Sequence, residues 1–212
     1  MKAPATAVKP RRKQVERTEL TRQKILSSAK NIFARDGFQA AKLEEIATKA
    51  DYSRGAFYLN FKNKEELFLA VAGQQISNLV STILRAVRSK SGLEAKCKEL
   101  LRAIKENPEV RTWALLLTEF NLFVVRQPKP KRHTVALYEQ LLKGVGEVFE
   151  DLYAAADRKP PMPLPIIGLG FGSLLQGLVL QEMLNSTLTP EVTSEVLSRY
   201  VYALIGENKI AG

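Results

Sequence analysis

The chain has 212 residues, of which 45% are hydrophobic, an ordinary content for a globular protein that buries its own core. One cysteine excludes an intramolecular disulfide framework, and one histidine leaves little for nucleophilic or acid–base catalysis. The net charge of +10 is uneven. Residues 1–64 carry 15 Lys and Arg against 6 Asp and Glu, whereas residues 65–212 carry 17 against 16. This asymmetry is typical of a nucleic-acid-binding segment joined to a near-neutral body.

The first segment, residues 1–17, is rich in lysine, arginine and proline and has almost no apolar periodicity. We expect a disordered basic arm, and it lacks the apolar stretch of a secretory signal. One possibility is an arm that reaches the minor groove or the backbone phosphates of DNA. The preferred interpretation is a flexible tail that raises nonspecific affinity for DNA. A first helix is then predicted from about Thr18 to Asp36, and Gly37 ends it in a left-handed conformation.

Residues 42–61 have the pattern of a helix-turn-helix. Residues 42–50 place their apolar side chains on one helical face, and Asp51 tolerates the left-handed conformation that a tight turn needs. Ser53 can then cap a second short helix, from Arg54 to about Leu59. The second helix of such a motif can lie in the major groove of DNA.

A long helix is predicted from Lys64 to about Arg88. Asn63 and Glu66 form a capping-box-like start for it. Lys64 thereby lies at the positive end of the helix, where it is poorly placed for intrahelical pairing and well placed for a phosphate.

The remainder of the chain is predicted to be helical, and nothing in it is typical of a strand. Asn107 and Pro108 form a helix start, with the cap followed by proline at the first position. Cys97 lies on an apolar helical face and is read as a buried thiol in a reducing cytoplasm, with a redox sensor as the alternative. The predicted helices are 93–106, 108–126, 134–156, 164–184 and one that begins at residue 190.

One uncharged stretch, Leu164–Gln181, has the length of a membrane span. Pro165 and two glutamines interrupt it, and no second span or anchor pattern accompanies it. We therefore expect no membrane partner, and a helix this uniformly apolar should be buried on most sides.

Residues 21–68 resemble the DNA-binding domain of TetR-family regulators. The resemblance rests on four runs, while the remaining two thirds of the chain match only in length and helical rhythm. It implies an all-α fold, with an N-terminal three-helix helix-turn-helix domain (residues 18–66) and a larger helical ligand-binding and dimerisation domain (residues 67–212). The runs are Arg35-Asp-Gly-Phe38, Glu44-Glu-Ile-Ala47, Gly55-Ala-Phe-Tyr58 and Phe61-Lys-Asn-Lys-Glu-Glu-Leu67.

The resemblance also implies roles for individual residues. Arg54 is the best candidate for reading a base, because a guanidinium pairs bidentately with guanine. Gly55 lets the helix backbone approach the groove. Tyr58 matches a tyrosine that is characteristic of the family and whose hydroxyl donates a hydrogen bond to a DNA phosphate. Leu59 and Asn60 depart from the aromatic residue and histidine that the family often has. The predicted DNA-binding residues are Lys42, Ser53, Arg54, Gly55, Tyr58, Leu59, Asn60 and Lys64.

In the larger domain the resemblance implies a ligand pocket and a homodimer formed through the last two helices. The predicted ligand contacts are Leu79, Ile83, Trp113, Phe120, Phe123 and Tyr138. The predicted dimer interface comprises Gly168, Gly172, Gly177, Val196 and Tyr200.

Together these features predict a cytoplasmic, homodimeric transcriptional regulator with no cofactor, metal site or enzymatic activity. The preferred mechanism is a repressor released from a palindromic operator on double-stranded DNA by a small, mainly apolar effector. The alternative is a ligand-independent architectural or partner-binding DNA protein whose C-terminal domain serves dimerisation. An enzyme is disfavoured, since His133 lies beside a Pro/Lys-rich turn and the glycines at 168–172 follow no strand.

Overall fold

The computed structural model describes residues 9–127, 132–185 and 187–206, with the side chains of 9–17 and 132–133 outside that description. Within these ranges there are nine helices and no strand, so the predicted all-α fold is confirmed. The helices are α1 (Lys9–Ala40), α2 (Leu43–Lys49), α3 (Arg54–Asn60), α4 (Lys64–Arg88), α5 (Leu93–Glu106), α6 (Pro108–Val125), α7 (Arg132–Ala155), α8 (Leu164–Leu184) and α9 (Pro190–Ile205).

The chain divides into two compact units, residues 1–71 and 72–212. The division falls inside α4, a few residues beyond the boundary predicted after residue 66. The reason is the burial of Leu67, Phe68 and Val71, each at most 1% exposed, in the core of the first unit.

The first helix begins earlier than predicted. Residues 9–17, which we expected to belong to a disordered arm, form the first turns of α1, while residues 1–8 lie outside the described residues. Lysine, arginine, glutamine and glutamate dominate this stretch, and all four are good helix formers. Gly37 interrupts the helix at φ 79°, as predicted from its left-handed preference.

An aromatic cluster forms the centre of the first unit. The ring of Phe68 makes edge contacts with Phe33 and Phe38, at centroid distances of 5.2 and 5.0 Å. Ser28 on α1 donates a hydrogen bond to the Ile46 carbonyl at 2.9 Å, which ties α1 to the middle of α2. These contacts fix the helices that present the helix-turn-helix.

In the second unit the predicted helix start at residue 107 is present. Asn107 Oδ1 accepts a hydrogen bond from the Glu109 amide at 3.0 Å, with Pro108 at the first helical position. Cys97 is fully buried on the apolar face of α5, as predicted.

Helices α7 and α8 pack closely because glycines face each other. A Cβ at Gly168 would lie 2.8 Å from the Leu142 carbonyl oxygen, and one at Gly146 would lie 3.2 Å from Leu164 Cβ. The assignment of Gly168 to a dimer interface is therefore wrong. This glycine is buried against its own chain, where a Cβ would press on the backbone of α7.

The rest of α8 is less buried than its composition led us to expect. Ile166, Leu169 and Leu184 are 51%, 47% and 81% exposed. By length and composition α4 and α8 would both suffice to cross a membrane, a test that core helices of soluble proteins also pass. The exposed side of α8 is an apolar surface with no cover from the described residues of its own chain.

Candidate nucleic-acid interface and apolar cavity

The turn between α2 and α3 has the geometry that the sequence predicts. Asp51 adopts φ 61°, and the Tyr52 amide donates to the Ala47 carbonyl at 3.0 Å, closing the end of α2. Ser53 is extended, and its Oγ accepts a hydrogen bond from the Ala56 amide at 3.2 Å. Ser53 is thus the N-cap of α3, which satisfies a backbone donor that would otherwise lack an intrahelical partner.

The orientation of α3 follows from its one buried aromatic residue. Phe57 is 1% exposed and packs against Phe61 at a ring distance of 5.9 Å. The opposite face carries Arg54, Tyr58 and Leu59, of which Leu59 is 89% exposed. An exposed leucine on a short helix in a basic unit is a poor contribution to folding stability and a suitable contact for a thymine methyl group.

Arg54 is held by two neighbours in the free protein. Its Nη1 lies 3.4 Å from Glu44 Oε1 on α2, and its guanidinium carbon lies 5.7 Å from the centre of the Tyr58 ring. The contact with the Tyr58 hydroxyl, followed by the charge of Glu44, raises the pKa of Arg54 above its ordinary value. The sequence prediction missed Glu44, because residues ten positions apart on different helices have no fixed spacing.

Lys64 is engaged within its own unit. Its ammonium donates hydrogen bonds to the carbonyls of Gln39 at 2.8 Å and Ala41 at 3.2 Å, and burial lowers its pKa. It therefore ties the start of α4 to the end of α1, a role the sequence did not indicate. An ammonium has three donors, so a phosphate contact through the third remains a prediction.

The other predicted DNA-binding residues differ in exposure. Asn60 is half-buried, and its side-chain amide donates to the Ala56 carbonyl at 2.8 Å, so it is largely used to finish α3. Lys42 is exposed at the start of α2 and makes no side-chain cap bond. Gly55 has open space around it, with only Ser53 Oγ within 4 Å of an added Cβ.

The second unit contains an apolar cavity of about 120 Å³, referred to below as the inner cavity. Three predicted ligand contacts, Leu79, Ile83 and Trp113, line it. Sequence periodicity did not predict the cavity-lining residues of α7 and α8, because it cannot distinguish an apolar residue that lines a cavity from one that is packed in the core. These additional residues include Val145, Val148, Phe149, Phe171 and Leu175.

The other three predicted ligand contacts do not line the inner cavity, and their part in ligand binding stays a prediction. Phe120 is 1% exposed and packs against Phe123 at a ring distance of 6.3 Å. The Tyr138 hydroxyl donates to Asn121 Oδ1, and burial raises the pKa of Tyr138.

The few polar groups in the cavity wall already have partners. Trp113 Nε1 donates to Glu109 Oε2 at 2.9 Å, and the Gln176 amide donates to Thr118 Oγ at 2.7 Å. The wall therefore offers a guest mainly hydrocarbon contact, which is suitable for an apolar group.

The remaining dimer-interface candidates lie in different settings. Gly172 lines the inner cavity, whereas Gly177 is exposed and has nothing within 4 Å of an added Cβ. Val196 is 37% exposed, and Tyr200 is half-buried with its hydroxyl against Gly170. Gly177 and Val196 are thus accessible to a partner.

Comparison with known proteins supports the interpretation of the first unit. Residues 25–71 match the family described as bacterial regulatory proteins, tetR family. The transcriptional repressor AcnR of Corynebacterium efficiens is 32% identical over 101 residues, which are 48% of this chain. That match spans only about half, 49%, of the relative's length.

Solved structures support the fold of most of the chain. A TetR-family transcriptional regulator from Streptomyces coelicolor superposes with a TM-score of 0.60 at 20% identity, covering 88% of this chain and 95% of that one. FadR from Bacillus subtilis in complex with stearoyl-CoA gives 0.59 at 16% identity, covering 86% and 96%. At such identities the likeness concerns the fold alone.

A helix-turn-helix unit followed by a larger helical unit defines the class of helical DNA-binding regulators. The match over residues 25–71 makes the comparison more specific, because this part of the chain is similar to the TetR family of bacterial regulatory proteins. The relatives are named as regulators of transcription, which agrees with the prediction that this chain is not an enzyme.

Proposed function

We propose that the chain is a cytoplasmic transcriptional regulator that binds a palindromic operator as a homodimer and represses until a small, mainly apolar ligand releases it. The observation that carries the DNA-binding part is the face of α3. A capped helix, anchored by Phe57, presents Arg54, Tyr58 and Leu59 to solvent in the unit that holds most of the net positive charge.

Ligand control is supported by the inner cavity. A core packed to ordinary density leaves little space, whereas this unit contains a cavity of about 120 Å³ lined by apolar side chains. A protein of the same fold holds stearoyl-CoA, a molecule with a long hydrocarbon chain. For release, the ligand must bind the arrangement that cannot bind DNA more tightly than the one that can.

The homodimer is supported by the uncovered apolar side of α8. Ile166, Leu169 and Leu184 are about half exposed or more, together with Val196 on α9 at 37%. One recognition helix reads few base pairs, while two related by a dyad read both halves of a palindrome.

The test is DNA binding by the purified protein to its own upstream region and to random DNA, at two salt concentrations, beside Arg54→Ala. The wild type should prefer the upstream fragment, and the variant should lose that preference while keeping salt-sensitive binding, because Arg54 reads bases and the lysines contact phosphates. Equal binding of both proteins to all DNA, or no binding at either salt concentration, would reject a sequence-specific regulator.

A ligand-independent architectural protein would need the second unit only for dimerisation. The inner cavity favours the ligand-responsive proposal, since a purely structural unit gains stability by filling such space. A thermal-shift screen with apolar compounds separates the two, because only a binding cavity gives concentration-dependent stabilisation.

A further inference from the structure

A second cavity lies along the same two helices as the inner cavity. It has a volume of about 230 Å³ and is lined only by residues of α4 and α7; we call it the α4–α7 groove. Ile76 and Val80 line both the groove and the inner cavity, so the two spaces share one wall. Val80 closes that wall against Gly144, where an added Cβ would lie 2.8 Å from Val80 Cγ1.

The two spaces differ in the polar side chains that they contain. The inner cavity offers mainly hydrocarbon, whereas the groove adds two serines, a glutamine, Lys143 and Glu147 to an apolar base of Ile76, Val80 and Leu84. The Gln140 amide donates to the Ser77 hydroxyl, which keeps its own proton for a further bond. Lys143 is exposed, and no ion pair engages its ammonium within the described part of the chain.

We propose that the effector is an amphiphile with a small anionic head, whose hydrocarbon chain fills the inner cavity while the head lies in the α4–α7 groove against Lys143 and Ser77. This inference rests on the ligand-responsive function proposed above and names the ligand class of that site. Val80 is the side chain that such a molecule must pass, since it stands between the two spaces.

The charge of the head follows from the donors available in the groove. An ammonium and a hydroxyl both donate to a carboxylate, and a charge-assisted hydrogen bond is stronger than a neutral one. Glu147 lines the same groove and opposes an anion, so it weakens binding and limits the size of the head. Lys143 and Glu147 therefore act in opposite directions on the same ligand.

Trp113 provides a direct measurement. It is the sole tryptophan of the sequence, is 3% exposed, and lines the inner cavity, so its fluorescence reports filling of that space. The probes are decanoate and 1-decanol, which share a chain length and differ in the charge of the head. The wild type should bind decanoate more tightly, and raising the salt concentration should reduce that preference.

The variants separate the head from the chain. Lys143→Gln should weaken decanoate binding roughly two- to fivefold, the range of an exposed ion pair, and leave 1-decanol unchanged. Glu147→Gln should strengthen decanoate binding and also leave 1-decanol unchanged. Lys98→Gln, the same charge change at an exposed lysine of α5 that pairs with Glu94, should affect neither probe.

Three results would overturn the inference. These are a wild type that binds neither probe, equal binding of decanoate and 1-decanol, or a decanoate affinity that Lys143→Gln and Lys98→Gln change alike. The same preparations are tested for operator binding without probe. If the protein binds DNA specifically but the probes do not bind as expected, only the proposed ligand class is rejected. If specific DNA binding is absent, the proposed regulator is rejected, and the fluorescence titrations alone decide whether the groove binds an anionic head.

Discussion

Glu44 and Arg54 join the two helices of the DNA-binding motif, with Glu44 Oε1 3.4 Å from Arg54 Nη1. Both side chains are more than half exposed, so the pair contributes little to folding stability. Its consequence concerns binding. A guanidinium that pairs with guanine must exchange this carboxylate for a base, and the carboxylate remains beside the DNA.

Glu44→Gln should therefore bind both random DNA and the operator more tightly, with the larger gain for the operator. Removal of a negative charge beside the phosphates lowers repulsion that is independent of sequence, and affinity for random duplex should rise roughly threefold at low salt. Affinity for the operator should rise further, because Arg54 no longer has to exchange a carboxylate for a base there. Fluorescence anisotropy with labelled operator and random duplexes measures both constants.

Glu45→Gln is the matched control for that experiment. Glu45 is adjacent and carries the same charge, but it pairs with Arg35 at 2.7 Å instead of Arg54. If both variants change the two affinities equally, net charge alone accounts for the effect and the Glu44–Arg54 pair has no part in discrimination.

Ser53→Ala should destabilise the first unit by about 1 kcal/mol, because the Ala56 amide loses its capping acceptor. Ser53→Asp keeps an acceptor at the N-cap and should retain most of the stability. Urea unfolding followed by circular dichroism of the whole protein provides the measurement. A Ser53→Ala protein as stable as the wild type would show that the cap contributes nothing to α3.

Gly168→Ala should destabilise the second unit by about 1–3 kcal/mol, since the added methyl group would press on the backbone oxygen of Leu142 at 2.8 Å. Gly73→Ala is the comparison. Its methyl group would meet Leu137 and Gln140 at an ordinary 3.7 Å, and alanine favours the helix, so stability should stay equal or rise. Differential scanning calorimetry measures the melting temperature of each variant. Gly168→Ala should lower it, whereas Gly73→Ala should leave it unchanged or raise it.

Leu169→Glu should convert the proposed dimer to a monomer. This residue is 47% exposed on the apolar side of α8, where a buried unpaired carboxylate would be costly in a dimer. Leu122→Glu makes the same change at a leucine of α6 that is 56% exposed. Light scattering after gel filtration should show a dimer for the wild type and Leu122→Glu, and a wild-type monomer would refute the dimer itself.

Local sequence signals predicted the helix starts and the turn well. The caps at Ser53 and Asn107 and the left-handed Asp51 depend on one to four neighbouring residues, so the sequence alone specifies them. The predicted beginning of α1 was wrong, because the composition that indicated disorder also consists of charged residues that favour helix formation.

The sequence by itself determined the all-α class, the helix-turn-helix and the concentration of positive charge, because periodicity, capping and charge are properties of neighbours along the chain. Only the tertiary structure decided which apolar residues line the inner cavity and which are packed elsewhere in the core. On α6, Trp113 lines the cavity, whereas Phe120 is buried away from it. The tertiary structure also decided that Gly168 serves packing within the chain and that Glu44 lies against Arg54. These facts depend on contacts between helices, and no spacing within one helix encodes them.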